Sequence, residues 1–415
     1  KEFTAKYDEN DIQTLLSLSE SIDDLWSRTV ELRKKVKEAT FEPLSVFGHD
    51  ESEAGSHTTI REKDEIYKKL FKSEHMNNAG PYARLKAAMD YWCALWFWPI
   101  DKADLLPDRQ TFFFEMSLLL EGTLNAVSTN ASGQMSFVDS SGNASYDKAG
   151  NLNYIVEGSQ IALEFRSQYA TLGRVNLDEL RAKHERLAIV NQIAEQQRFQ
   201  HWELEFADVF EDNGGFDLTI GNPPWLKMTW NEQAVLSDCH PILAIKKLSA
   251  ADTAKQRMNA LDNLATYKMY FDEYKSMSGT QNFLNSYQNY WLLKGQQTNL
   301  YKCFIPNSWM YGNTTGVSAF IHPDGVFDDP NGETLRKKLY PRLRKHFQFT
   351  NEMRLFAEVD HHMGFSLNTY LNKETEDFDV ISNLFITSTI DECYENDGTG
   401  IVPGIKNDEG NWETK

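Results

Sequence analysis

The chain has 415 residues, of which 41% are hydrophobic and 13% aromatic, and its formal net charge is −19. That length allows roughly two or three domains with a large core. That charge argues against duplex DNA binding by this chain alone, because neutralising phosphates supplies most of such affinity; a small basic cleft or a basic partner domain stays open.

No apolar run reaches the roughly 18 residues that span a bilayer, and no leader peptide is visible. Cys93, Cys239, Cys303 and Cys393 lie without disulfide or zinc spacing. These features predict a reduced, cytoplasmic protein that avoids membranes.

In chain order, residues 11–39 place Leu15, Leu18, Ile22, Leu25, Val30 and Val36 on one stripe, which predicts a long amphipathic helix. The polar run "FGHDESEAGSHTT" reads as an exposed loop. "PYARLKAAMDYWCALWFWPI" predicts a helix apolar nearly all round and ended by Pro99. "RQTFFFEMSLLLEGTL" predicts a second buried helix. Between Ser132 and Glu157, Ser-Gly-Asn and Ala-Gly-Asn punctuate the alternating pieces "MSFV" and "LNYIV", which predicts a small β-hairpin insert.

"LDELRAKHERLAIVNQIAEQQRFQ" then predicts one helix running to about Phe199. "HWELEF" reads as an extended edge, with His201, Glu203 and Glu205 alternating onto one solvated face. An Asn-Gly-Gly turn leads into the strand "FDLTIG", where Phe216 and Ile220 are expected in the core. Asp217 is expected to cap a turn or, as the alternative, to touch a cofactor. Beyond it helices alternate with strands, notably "GVSAFIHP", which is α/β patterning. His322 and Asp324 fall at the end of that strand, where core packing or a place facing a site are both open.

The expected organisation is a helical region over 1–125, a hairpin insert with its connecting helix over 126–200, a catalytic part over 201–390 and a linker over 391–415. The chain opens without methionine and stops in polar sequence, so it reads as a piece of a longer polypeptide.

The strand ends in Asn222-Pro223-Pro224-Trp225. Proline fixes φ and lacks an N–H, and it forces the preceding residue out of helical geometry. Asn222 and Pro223 are therefore held extended, with their oxygen acceptors turned outward. An amino group on a planar heterocycle suits that arrangement. The Asn222 carboxamide oxygen and the Pro223 carbonyl can accept its two N–H bonds, which localises the nitrogen lone pair. Trp225 offers a stacking face. Such a site works by positioning and electrostatics and needs no covalent nucleophile.

Asn222-Pro223-Pro224-Trp225 resembles the [Asn/Asp]-Pro-Pro-aromatic motif of amino-methyltransferases. With "HWELEF" and "GGFD" before it, the string is similar to large adenine-specific DNA methylases of the type IIG restriction–modification and phage-defence kind. "CALWFWP" resembles their helical insert and "TGIVPGIKNDEGNW" the lead-in to their target-recognition region. The resemblance is strongest from about His201 to Tyr370.

It implies an α/β fold: a partial Rossmann-like methyltransferase sheet with a large N-terminal helical region. It implies S-adenosylmethionine as methyl donor, a flipped adenine as acceptor, and double-stranded DNA as partner through regions absent from this chain. It also implies Phe365 as a second aromatic stacking on the base, although a core phenylalanine is the competing expectation. The family's cofactor glycine motif has no match. The single Gly-x-Gly, Gly398-Thr399-Gly400, lies after the catalytic elements. This chain alone is therefore expected neither to bind the cofactor nor to methylate.

No metal site is expected, since Asp360-His361-His362 would send adjacent histidines to opposite faces of a strand. Two alternatives stay open: an RNA or protein amine methyltransferase, and a non-catalytic assembly module of a defence complex.

Overall fold

The computed structural model describes residues 5–41, 59–71, 73–121, 175–246, 248–297, 299–375 and 377–399. The expected polar loop after Glu42, the hairpin insert and most of the linker lie outside them. The chain divides into two compact units, Lys1–Asp208 and Val209–Lys415.

The first unit is helical where described. Its first helix, Glu9–Thr40, starts on a reciprocal cap in which the Asp8 and Asp11 side chains each bond the other's backbone N–H. Leu18 and Leu25 from its apolar stripe pack with Leu85, Ala88, Leu120 and Leu204. The aromatic-rich helices Pro81–Ala94 and Arg109–Leu120 meet Glu185–Gln197 in a second core holding Tyr91, Phe112, Phe113, Leu187 and Ile193. Glu115, buried in that core, accepts from the Tyr91 hydroxyl and pairs with Arg186 at 2.8 Å.

Two expectations change here. The single helix predicted before Phe199 is two helices, Leu177–Lys183 and Glu185–Gln197, broken at His184, which takes extended geometry. "HWELEF" is not an extended edge. Trp202–Glu205 is a turn of helix, and its charged residues have different partners. His201 is buried and bonds Asp90 at 2.8 Å, while Glu205 pairs with Arg33 and accepts from the Tyr82 hydroxyl. Specific burial of His201 overrode the alternating pattern.

The second unit carries a five-stranded mixed sheet in the order β1-β2-β4-β3-β5. The strands are β1 (Phe216–Gly221), β2 (Gly312–Pro323), β3 (Leu343–Thr350), β4 (Gly364–Leu371) and β5 (Asp379–Leu384). β1 runs parallel to β2, β4 antiparallel to both its neighbours, and β5 parallel to β3. This is the mixed α/β architecture that the alternation of elements predicts.

Period-two side-chain alternation gives the sheet two different faces. Phe320 and Tyr370 face the helices Leu300–Tyr311 and Glu333–Leu339 and form a closed core with Tyr301, Ile305, Leu335 and Leu339. Phe365 and Phe349 on the other face pack with Phe347, Leu384 and Trp225. β1, at the sheet edge, is barely covered. Ile220 is 73% exposed and Leu218 57%, so the expected core role of Ile220 does not hold. Phe216 is half-buried, against Phe210. A short buried strand was legible in the apolar run, but the described elements supply a neighbour on one side only.

His322 lies wholly inside the helix-covered face. Its Nε2 accepts from the Tyr370 hydroxyl at 2.8 Å and from Asn368 at 3.0 Å, and Nδ1 faces the Pro323 carbonyl at 2.9 Å. The Tyr301 ring stacks on it. Burial pushes the imidazole down to about 4. The unfolded chain, titrating near 6.5, takes up a proton over a range where the folded chain does not. The stabilisation is therefore full above about pH 6.5 and is lost as pH falls toward 4, by about 3 kcal/mol at most. Urea unfolding at pH 7, 5.5 and 4.5 should show that loss in the wild type, and a His322→Gln variant should lack this component.

Candidate active site

The turn into β1 needs glycine. Gly214 and Gly215 have φ of 70° and 131°, and a Cβ on Gly215 would stand 2.4 Å from the Tyr311 carbonyl oxygen. β1 then runs to Gly221 beside Phe320 of β2, and Asn222-Pro223-Pro224-Trp225 follows at the carboxyl end of both strands. Register places Pro323 opposite Phe365 and Thr350 opposite Gly364, so the loops after β1, β2 and β3 gather at one end of the sheet. That end is where open α/β sheets bind ligands.

The four residues divide in role. Pro223 is buried and Pro224 exposed. Trp225 is half-buried: its indole N–H donates to the Ile321 carbonyl at 3.2 Å, and its ring lies 5.1 Å from that of Phe356 and 5.8 Å from that of Phe365. The chain beyond is clamped as well. The Leu226 carbonyl accepts from the Leu300 N–H at 3.0 Å, Lys227 bridges to Asn299, and the Met228 carbonyl accepts from Gln281 at 2.6 Å. Asn222 is left projecting at the start of the loop. It is exposed, and no hydrogen bond occupies its carboxamide among the described residues. A rigid loop that ends in an open carboxamide can accept from a donor brought to it.

The other expected site residues are taken up by packing or by hydrogen bonds of their own. Phe365 is 4% exposed, with its ring stacked on Phe349 at 5.3 Å and 5°. It backs Trp225 as a packing residue and in this arrangement has no open face for a base. Asp217 sits near the start of β1, five residues and so roughly 16 Å along the strand from Asn222. Its carboxylate accepts from Asn313 at 2.6 Å, which braces the far end of the sheet. His322 points into the core, and Asp324 cross-links β3 and β4 through Gln348 at 3.0 Å and Ser366 at 2.6 Å. Asp360 accepts from the His362 N–H, and the exposed rings of His361 and His362 touch at 3.8 Å. No group of three or more metal-ligating side chains occurs among the described residues.

Sequence reasoning missed Phe356, Gln281 and Asn351, which hold this loop cluster together. None stands at a spacing that announces it, because all three reach the site through tertiary contacts. Gly214 and Gly215, adjacent glycines, precede β1 and do not lead from a strand into a helix.

Residues 92–257 match the model of the Eco57I restriction-modification methylase family. The match covers well under half of the chain and takes in β1 and Asn222 to Trp225. It supports a methyltransferase of the restriction-modification type, a family that generally uses S-adenosylmethionine. The mixed sheet is consistent with a methyltransferase-like fold. No curated protein matches the chain. No helix among the described residues is long and apolar enough to cross a membrane.

The division of roles predicts unequal stability effects. Trp225→Ala should destabilise the second unit by about 3 kcal/mol, since it empties a packed aromatic site. Asn222→Ala should change stability by no more than about 0.5 kcal/mol, as befits an exposed residue without partners. Thermal and urea unfolding of the two variants would check both.

Proposed function

We propose that this chain is the amine-handling part of a site-specific DNA methyltransferase that modifies the exocyclic amine of adenine, within a restriction–modification or phage-defence system of the type IIG kind. The observation that carries the reading is the open carboxamide of Asn222 at a strand end, followed by a clamped Trp225 and lying inside the matched stretch.

In this reading the target base leaves the duplex and reaches the carboxyl end of β1. The Asn222 oxygen and the Pro223 carbonyl accept the two amine N–H bonds and draw the nitrogen toward tetrahedral geometry. Trp225 offers the exposed part of its ring to the base. The methyl donor, S-adenosylmethionine, would be held by residues outside those described, as would the duplex. The parallel β1–β2 pair, with its loops gathered at the carboxyl end, supports a Rossmann-like sheet of which these strands are one part. The acidic balance, charge −19, supports assigning DNA contact to other regions. Activity of this kind belongs in the cytoplasm, where the DNA is.

Two measurements test the proposal. In a polypeptide that also supplies a cofactor cradle, Asn222→Ala should lower methyl transfer to duplex DNA by about 3–4 kcal/mol of transition-state stabilisation, the usual cost of one preorganised polar group. Near-normal turnover by that variant would remove the assignment. Titration calorimetry of the 415-residue chain with S-adenosylmethionine should show no micromolar binding. Micromolar binding would place a nucleoside site within the chain.

A further inference from the structure

Asn351 is wholly buried at the end of β3, yet its side chain serves a segment that carries no regular strand or α-helix. Its Nδ2 donates to the carbonyls of Phe356 and Val359, each at 2.9 Å, and reaches that of Asp360 at 3.4 Å. Its Oδ1 accepts from the Phe356 N–H at 3.0 Å. Its own backbone N–H donates to the Met363 carbonyl at 3.1 Å, which closes the loop's two ends together.

One carboxamide thus grips both the N–H and the C=O of Phe356. The Phe356 ring in turn meets Trp225 at 5.1 Å and Phe365 at 5.0 Å, edge to face in both cases. The path from Asn351 to the Asn-Pro-Pro-Trp loop is one residue long.

We propose that Asn351 is a positioning residue. By pinning the 351–363 loop it sets Phe356 against Trp225, and so fixes the ring wall and the Asn222 acceptor beside it. That Trp225 walls an amine site rests on the function proposed above; that Asn351 fixes Trp225 does not. Only a carboxamide of this length does the work. A carboxylate accepts the Phe356 N–H but cannot donate to three carbonyls, and a leucine does neither. The segment has no α-helix or strand to hold it, so without these bonds its backbone groups turn to water and the loop opens.

The test labels the full 415-residue chain with 5-fluorotryptophan and follows the Trp225 line by fluorine NMR, assigned with Trp225→Phe among the ten tryptophans. Asn351→Ala and Asn351→Asp should each move or broaden the Trp225 line while the lines from the first unit stay in place. Phe356→Leu leaves the Asn351 carboxamide in place but removes the ring, and it should disturb the same line. If Asn351→Ala fails to fold, Asn351→Asp decides. His361→Ala, on the loop's exposed side, should leave the Trp225 line unchanged. A Trp225 line that ignores Asn351→Asp overturns the proposal, whatever Phe356→Leu does.

In a methylation-competent polypeptide, Asn351→Asp should lower kcat on the order of 100-fold, the scale of a misplacement of about 1 Å, with KM for the methyl donor nearly unchanged. If the Trp225 line moves as expected but the wild type transfers no methyl group to DNA, the positioning role stands and the proposed reaction falls.

Discussion

The hydrogen bond from the Trp225 indole to the Ile321 carbonyl fastens the loop after β1 to the end of β2. Much of the local order follows from it. Between the last residue of β1 and this anchor stand only Asn222 and two prolines, and proline has almost no φ freedom. With the strand fixed at one end and the indole at the other, few torsions remain by which the Asn222 backbone can wander. Rigidity therefore comes from ring geometry and one polar tie, with no helix or disulfide in the span. Phe356 and Phe365 press on the apolar side of the same indole, so its orientation is set from both its wet and its dry edges.

The sheet beneath is built unevenly. Its helix-covered face is closed and contains a satisfied polar chain running from His322 through Asn368 to Ser366 and Asp324, with His346 bonded to Asn368 at 2.7 Å. Buried polar groups cost free energy unless partnered, and each of these has a partner across a neighbouring strand. The network thereby fixes the register of β2, β3 and β4, which brings Phe365 opposite Pro323 and Trp225 within reach of both. The site's aromatic packing on one face depends on polar pairing on the other.

What the sequence told plainly was local. The amphipathic stripe of the first helix, the glycine turn, β1 and the proline pair were all readable, because helical period, φ > 0 and fixed φ are properties of neighbours in sequence. The extended "HWELEF" does not hold because the burial of His201 is decided by Asp90, a residue far away in sequence, and the break at His184 has no mark in the helical period of its neighbours. Asn351 looks like an ordinary turn residue after a strand: its bonds reach only five to nine residues ahead, but no spacing rule marks a carboxamide that grips a loop. Asp217, expected first as a structural residue and only alternatively as a cofactor contact, neighbours the motif in sequence and bonds Asn313 in the fold. Strand rise separates Asp217 from the motif by most of the height of the sheet. For Phe365 the core reading, which competed with the base-stacking one, is the one its burial among Phe349, Phe347 and Leu384 supports.

The edge position of β1 has a colloidal consequence. An edge strand with outward Leu218 and Ile220 is a template on which another strand can pair, and edges of this sort drive association between copies. Among the described residues Asp217 is the one charge on the strand, and the chain's overall charge of −19 adds a repulsion between copies that is strongest at low ionic strength. Salt shrinks the reach of that repulsion to about 3 Å at 1 M while leaving apolar contact intact. Concentrated salt therefore lowers the barrier and keeps the attraction, so the exposed strand is felt between copies most where the acidity of the chain is screened.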